Sequence, residues 1–228
     1  MHSVGIVIPA AGQSTRMGRS INKQFLNLLG KPILYHTIKS FIDWGKAAEI
    51  VVVLNPDEFK KFEEKIRPFF SDCDQKIKLC TGGESRKESV YRGIKFLSEA
   101  LEYVIIHDGA RPLLTEELIE LSYQSVQKYD AVSCGVKVKD TIKIVENSFS
   151  KKTLNRDSLR AVQTPQAFKT ELIISAHQNY KDDKALDDAS LVEELGEKVF
   201  ILNGDYNNLK ITTAEDLKPA EVILKERD

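Results

Sequence analysis

Three short segments of this chain carry most of the residues able to do chemistry. The first, PAAGQSTRMGRSINKQ at residues 9–24, places Ala10, Ala11 and Gly12 ahead of Gln13, Ser14 and Thr15, and adds the cations Arg16, Arg19 and Lys23. Small residues let a backbone approach a ligand closely. Amides, hydroxyls and cations in one loop are what a polyphosphate needs. Five residues separate Gly12 from Gly18 and no Lys-Ser/Thr follows, so this is not the P-loop pattern. No G-x-G-x-x-G occurs either, which removes the dinucleotide fingerprint. An ordinary surface loop with basic residues has a similar composition.

The second segment, TGGESRKESV at 81–90, pairs Gly82 with Gly83 and offers Arg86 and Ser89 as donors to a base or phosphate. A glycine-rich turn followed by a helix cap accounts for it equally well. The third, HDGARP at 107–112, contains Asp108, which can accept ribose hydroxyls or reach a magnesium ion through its carboxylate. His107 reads as the partner of a strand-end hydrogen bond, and Arg111 as a side chain beside a Pro-terminated turn. No Ser-His-Asp or Cys-His order suggests a covalent nucleophile.

Positioning these segments requires an alternation of strands and helices. Short apolar β-branched runs predict strands over 4–9, 49–54, 77–80, 103–107 and 131–136, with helices over 33–43, 57–70, 87–97 and 115–128. Runs such as VGIVIP and YVIIH lack period-two alternation, as strands covered on both faces do. The fold class is therefore α/β: a Rossmann-like, doubly wound, mostly parallel sheet. In such sheets ligands bind beyond the carboxyl ends of the strands, where all three segments begin. Residues 137–164 break the rhythm and read as a polar β-rich arm with a turn near 147–150. Two more helices (170–179 and 187–195), a strand (199–202) and a terminal helix (214–225) follow, so one domain is expected over 1–228 with the arm inserted.

Bulk composition bounds the partners. Of 228 residues, Lys plus Arg (33) nearly balances Asp plus Glu (34), so no global field exists to hold nucleic acid or an anionic membrane. The cysteines Cys73, Cys80 and Cys134 are odd in number and lack C-x-x-C spacing, which points to buried apolar thiols in a reducing, cytoplasmic setting. No apolar run reaches membrane-spanning length, and the first residues enter a strand directly.

The A-A-G-x-S-x-R-M-G loop with its later K-Q resembles the signature of nucleotidyltransferases that activate sugars and sugar alcohols, the nucleotide-diphospho-sugar transferase type of fold. HDGARP is nearly identical to its counterpart in the 2-C-methyl-D-erythritol 4-phosphate cytidylyltransferase family. KDTIK (139–143), LNRDSL (154–159), TPQAF (164–168), DDASLVE (187–193) and NLKITTAEDL (208–217) follow in that family's order, so the resemblance spans nearly the whole chain.

The resemblance implies a magnesium-dependent transfer of CMP from CTP to a sugar-alcohol phosphate, with pyrophosphate released. It implies that Arg16 and Lys23 stabilise the transition state. Ala10, Ala11, Gly12, Gly83, Ser89, Asp108 and Ala110 would meet the nucleotide, with Asp108 also a metal ligand. Thr141, Arg156, Lys210 and Arg111 would hold the alcohol phosphate, the arm reaching across a homodimer. Two positions depart from the family pattern: Asn22 stands where Pro is usual before the Lys, and Leu186 where Thr is common before DDAS.

Both substrates are anions, so cations and orientation, rather than a covalent intermediate, are what the reaction requires. A ribitol-5-phosphate cytidylyltransferase shares this pattern, although that sister family has a bulkier Val before the Arg of the third motif. A nucleotide-sugar glycosyltransferase would need D-x-D after a strand; the D-x-D at 72–74 precedes one and reads as a solvated turn. A non-catalytic nucleotide sensor would have no use for both Arg16 and Lys23.

Overall fold

The computed structural model describes residues 3–12, 22–182 and 185–227. In chain order the elements are β1 (Val4–Pro9), β2 (Asn27–Leu28), β3 (Lys31–Pro32), α1 (Ile33–Trp44), β4 (Ala47–Leu54), α2 (Phe59–Lys65), β5 (Ile77–Thr81), α3 (Arg86–Phe96) and β6 (Tyr103–Ile106). There follow α4 (Glu116–Tyr129), β7 (Ala131–Lys137), β8 (Lys143–Glu146), β9 (Phe149–Thr153), β10 (Arg160–Lys169), α5 (Thr170–Asn179), α6 (Asp188–Glu194), β11 (Phe200–Asn203) and α7 (Leu217–Lys225). Among the described residues no helix is long and apolar enough to cross a membrane.

Among the described residues seven strands form the central sheet in the order β11-β7-β10-β6-β1-β4-β5, and of these β10 alone runs antiparallel to both neighbours. Strand side chains alternate between two apolar layers. Ile6 and Ile8 of β1 and Ile50, Val52 and Leu54 of β4 meet Leu34, Ile38 and Phe41 of α1 and Leu118 and Ile119 of α4. Val7, Val51 and Val53 face the other way, against Val90 and Ile94 of α3, Ile173 of α5 and Leu191 of α6. Each buried Val or Ile contributes about 1.5–3 kcal/mol, so the doubly covered runs in the sequence are where most of the driving force lies. β1 pairs with β4 on one side and β6 on the other, and the loops leaving these strands part at that point. A crevice at such a switch point is the expected ligand site.

Two expectations need correction. The helix over 57–70 is broken into a 3-10 turn, α2 and a second 3-10 stretch at Arg67–Lys76. Pro68 restricts the residue before it and cannot continue a helix, and Ile66 leaves helical geometry at φ −122°. The D-x-D segment lies in that second stretch, where Asp72 is exposed. The arm is also shorter than residues 137–164: only the β8–β9 hairpin projects, turning at Asn147 and Ser148, both with positive φ. Residues 160–164 instead begin β10, which lies between β6 and β7 in the main sheet. Pro165 is accommodated because the register with β7 shifts between Gln163 and Gln166; the Thr164–Pro165 peptide is cis.

Candidate active site

The crevice at the switch point encloses about 530 Å³ and is lined by Ala11, Gly12, Lys23, Gln24, Asn55, Gly83, Ser85, Arg86, Ser89, Asp108, Ala110 and Lys210. A second cavity of about 610 Å³ adjoins it, shares Arg86, Asp108 and Lys210, and adds Arg111, Gln163, Thr164 and Leu186. Nine of the thirteen site residues expected from sequence thus converge on one continuous cleft. Ala10 lies just beneath its floor, 1% exposed. Arg16 falls outside the described residues. Thr141 and Arg156 are exposed at the base of the hairpin and do not line the cleft; Arg156 Nη1 donates to the Lys139 carbonyl at 2.9 Å.

The first loop is fastened by backbone bonds. Ala10 N–H donates to Val53 O at 2.8 Å, and Asn55 Nδ2 donates to Ala11 O at 2.9 Å. Asn22, the residue in place of a usual Pro, donates from Nδ2 to Ala10 O at 3.1 Å and accepts from Gln24 N–H at 3.1 Å. It caps the 3-10 turn Lys23–Phe25, so hydrogen bonds here restrain the backbone that a pyrrolidine ring would restrain covalently. Gly82 permits the glycine turn to pass against this loop, because a Cβ there would stand 2.5 Å from the Ala11 Cβ. Gly83 N–H donates to Ser89 Oγ at 3.0 Å, which leaves the Ser89 proton to be given elsewhere.

The Asp108 loop is anchored by residues far away in sequence. His107 is fully buried, and burial pushes its pKa down to about 4, so its imidazole is neutral near pH 7. Its Nε2 lies 3.0 Å from the Arg111 carbonyl, which can only accept; Nε2 therefore carries the proton and Nδ1 accepts. Thr164 Oγ1, 3.1 Å from Nδ1, must be the donor there, while it also accepts from Asp108 N–H at 3.0 Å. Asn208 Nδ2 donates to Thr164 O at 2.7 Å, Arg111 Nη1 to Asn208 O at 2.8 Å, and Thr37 Oγ1 to Gly109 O at 3.0 Å. His107 thus serves as the strand-end hydrogen-bond partner expected from sequence.

Electrostatics concentrate at Asp108. Lys210 Nζ and Arg111 Nε lie 2.9 and 3.4 Å from Oδ2, and Arg86 Nε lies 3.9 Å from Oδ1. Burial alone would raise this carboxyl, but Lys210, Arg86 and Arg111 together hold it well below the ordinary carboxylate range. An ionised carboxylate buried without such partners would be costly. Arg86 in turn donates from Nη2 to Asp188 Oδ2 at 2.8 Å. Burial works against its charge, yet the Asp188 and Asp108 carboxylates raise its pKa further still. The sequence reading offered Arg86 as a donor without this partner. No local signal pointed to Asp188: α3 opens on Arg86 but carries an acid of its own, Glu88, in its first turn.

Among the described residues no three His, Cys, Asp or Glu side chains converge as a metal cage. One ionised carboxylate beside cations and amide-lined loops suits a divalent ion that takes most of its oxygens from a bound triphosphate and water.

Comparison with known proteins agrees with this geometry. The family model for 2-C-methyl-D-erythritol 4-phosphate cytidylyltransferase matches residues 4–226. A protein of that name from Caldanaerobacter subterraneus subsp. tengcongensis is 46% identical over 98% of this chain and 99% of its own length. A crystal structure of 4-diphosphocytidyl-2C-methyl-D-erythritol synthase from Anaerococcus prevotii superposes with a TM-score of 0.86 at 30% identity, covering 98% of this chain and 96% of that one. The Thermus thermophilus 2-C-methyl-D-erythritol 4-phosphate cytidylyltransferase gives 0.80 at 32% identity, covering 98% and 99%. With its three motifs assembled at the switch point of the sheet, the chain belongs to the 2-C-methyl-D-erythritol 4-phosphate cytidylyltransferase family.

Proposed function

We propose that this protein transfers CMP from CTP to 2-C-methyl-D-erythritol 4-phosphate, releasing pyrophosphate, in the cytoplasm and on the non-mevalonate route to isoprenoid precursors. The observation carrying this reading is the continuous cleft in which Lys23, Arg86, Arg111 and Lys210 surround amide-lined loops and one buried carboxylate. The 1–228 span acts as one domain.

In the reaction a phosphate oxygen of the alcohol phosphate attacks the α-phosphorus of CTP. The new P–O bond forms as the bond from the α-phosphorus to the bridging oxygen breaks, and pyrophosphate departs with the electron pair. Lys23 and Arg16 clamp the triphosphate and neutralise charge gathering around the α-phosphate. Magnesium, with Asp108 as its protein carboxylate, would supply further neutralisation when bound. Ala10, Ala11, Gly12, Gly83 and Ala110 let the nucleotide approach the backbone, and Ser89 gives its free proton to the base. Asp108 accepts the ribose hydroxyls.

Lys210 and Arg111, in the adjoining cavity, orient the alcohol phosphate. Thr141 and Arg156 complete that site from a second copy. Ile142, Ile144, Val145 and Phe149 on the hairpin are exposed apolar side chains, suited to burial in a homodimer.

Pyrophosphate release from CTP and magnesium tests the proposal, with 2-C-methyl-D-erythritol 4-phosphate and ribitol 5-phosphate offered separately. Turnover with the first alone is expected. Turnover with ribitol 5-phosphate alone would move the protein to the sister activity, and release with neither would refute the transfer.

A further inference from the structure

Behind the cleft a line of polar and charged side chains runs inward from Asp108: Arg86 on α3, then Asp188 on α6, with the His177 imidazole of α5 beyond it. Asp188 is fully buried, its Oδ2 bonded to Arg86 and its Oδ1 3.5 Å from His177 Nε2. His177 has no exposed side-chain surface and stacks on Tyr91, with centroids 5.4 Å apart. The start of α6 is itself fixed, because the fully buried Gln166 of β10 accepts from Asp188 N–H and Ala189 N–H at 3.0 and 3.2 Å. Asp188 lines neither cavity.

Of the three described cations around Asp108, two sit on Oδ2 and only Arg86 faces Oδ1. Arg86 opens a helix, where the dipole repels a guanidinium, and its hydrogen bond to Asp188 Oδ2 at 2.8 Å offsets that repulsion. A planar guanidinium with donors on two edges can hold two carboxylates in a set relative orientation; an ammonium cannot. From these contacts we infer that Asp188 is a positioning residue for the transfer reaction: through Arg86 it sets the orientation of the Asp108 carboxylate, and hence recognition of the ribose. This rests on the proposed role of Asp108 toward the ribose hydroxyls. A purely structural tie between α3 and α6 would use the same contacts, and the two roles differ in what they do to sugar discrimination.

The test compares kcat/KM for CTP and 2′-deoxy-CTP in the full chain and in Asp188→Asn, Arg86→Lys and Asp108→Asn. One hydrogen bond to a charged group sets the scale of the discrimination at about ten- to a hundredfold. Asp108→Asn should lose most of it. Asp188→Asn, nearly isosteric, should lose a comparable part, mainly through KM for CTP, while KM for the alcohol phosphate stays within about twofold. Arg86→Lys should behave alike despite keeping its charge, and it decides the matter if Asp188→Asn does not fold. Full discrimination in a folded Asp188→Asn, or in Arg86→Lys when only that variant folds, would overturn the inference, provided Asp108→Asn has lost it. If Asp108→Asn itself discriminates like the unaltered protein, the ribose assignment fails instead and takes the inference with it.

Discussion

Thr164→Val isolates the way this fold holds the Asp108 loop. Valine replaces the hydroxyl with a methyl group of similar volume, so packing is nearly preserved while two buried hydrogen bonds disappear. Thr164 is 5% exposed, and its hydroxyl is the partner of both Asp108 N–H and His107 Nδ1, at 3.0 and 3.1 Å. Neither partner can turn to water, and an orphaned buried polar group costs about 1–3 kcal/mol. The two losses should therefore sum to roughly 3 kcal/mol, which for a chain of this size lowers Tm by about 6–12 °C.

Activity should fall as well, because the Asp108 backbone is what the hydroxyl restrains. Urea unfolding with an unchanged m-value would measure the stability loss, and steady-state kinetics with varied CTP the functional one. Thr164→Ser keeps the hydroxyl and should recover most of both. A Thr164→Val protein within about 0.5 kcal/mol of the unaltered chain, or a serine variant as damaged as the valine one, would refute the assigned role of the hydroxyl.

Lys23→Ala should cost roughly 3–4 kcal/mol of transition-state stabilisation, about 10²–10³ in turnover, with circular dichroism and Tm little changed; near-normal turnover would remove Lys23 from the clamp. Arg156→Ala should raise KM for the alcohol phosphate by about ten- to a hundredfold and leave CTP binding intact, so a defect confined to CTP would contradict its role. Burial lowers the His107 pKa to about 4, against a usual value near 6.5. The unfolded chain therefore takes up this proton first, and stability should fall with pH from about 6.5 towards 4, by about 2 kcal/mol at pH 5 from this group. Denaturant titrations at pH 7.5 and 5 would measure that loss, and a His107→Gln variant with an equal loss would show that another group is responsible.

Much of the architecture was legible in the chain because its driving forces are local. Short β-branched runs bounded by turns favour strands, and β1, β4, β5, β6 and β7 fall within about two residues of the expected spans. The start of the helix expected from 115 is likewise set at short range: the Thr115 side chain accepts from the Leu118 amide three residues on. β10 was legible only in part. Residues 160–164, with Gln163 and Thr164 among them, read as the end of the polar β-rich arm, and Pro165 ahead of Gln166 argues against a central strand. Those polar side chains are buried because each finds a partner elsewhere: Gln163 at Asp205 O, Thr164 at His107 and Gln166 at Ser133 and α6.

The site divides along the same line. Residue types and spacing made the first loop a candidate for meeting a polyphosphate and put Asp108 at a strand end. They also determined the family, because the motifs occur in a set order along the chain. Tertiary structure alone decided that Asp108 would be shared by Lys210, Arg111 and Arg86, and that Arg86 would be held by Asp188, 102 positions further along the chain. It decided too that Thr141 and Arg156 would stand apart from the cleft of their own chain. Propensity and periodicity act over a few residues, whereas a buried charge selects its partner from whatever the folded chain brings within hydrogen-bonding reach. Desolvation makes that choice decisive, and nothing local in the sequence encodes which distant group it will be.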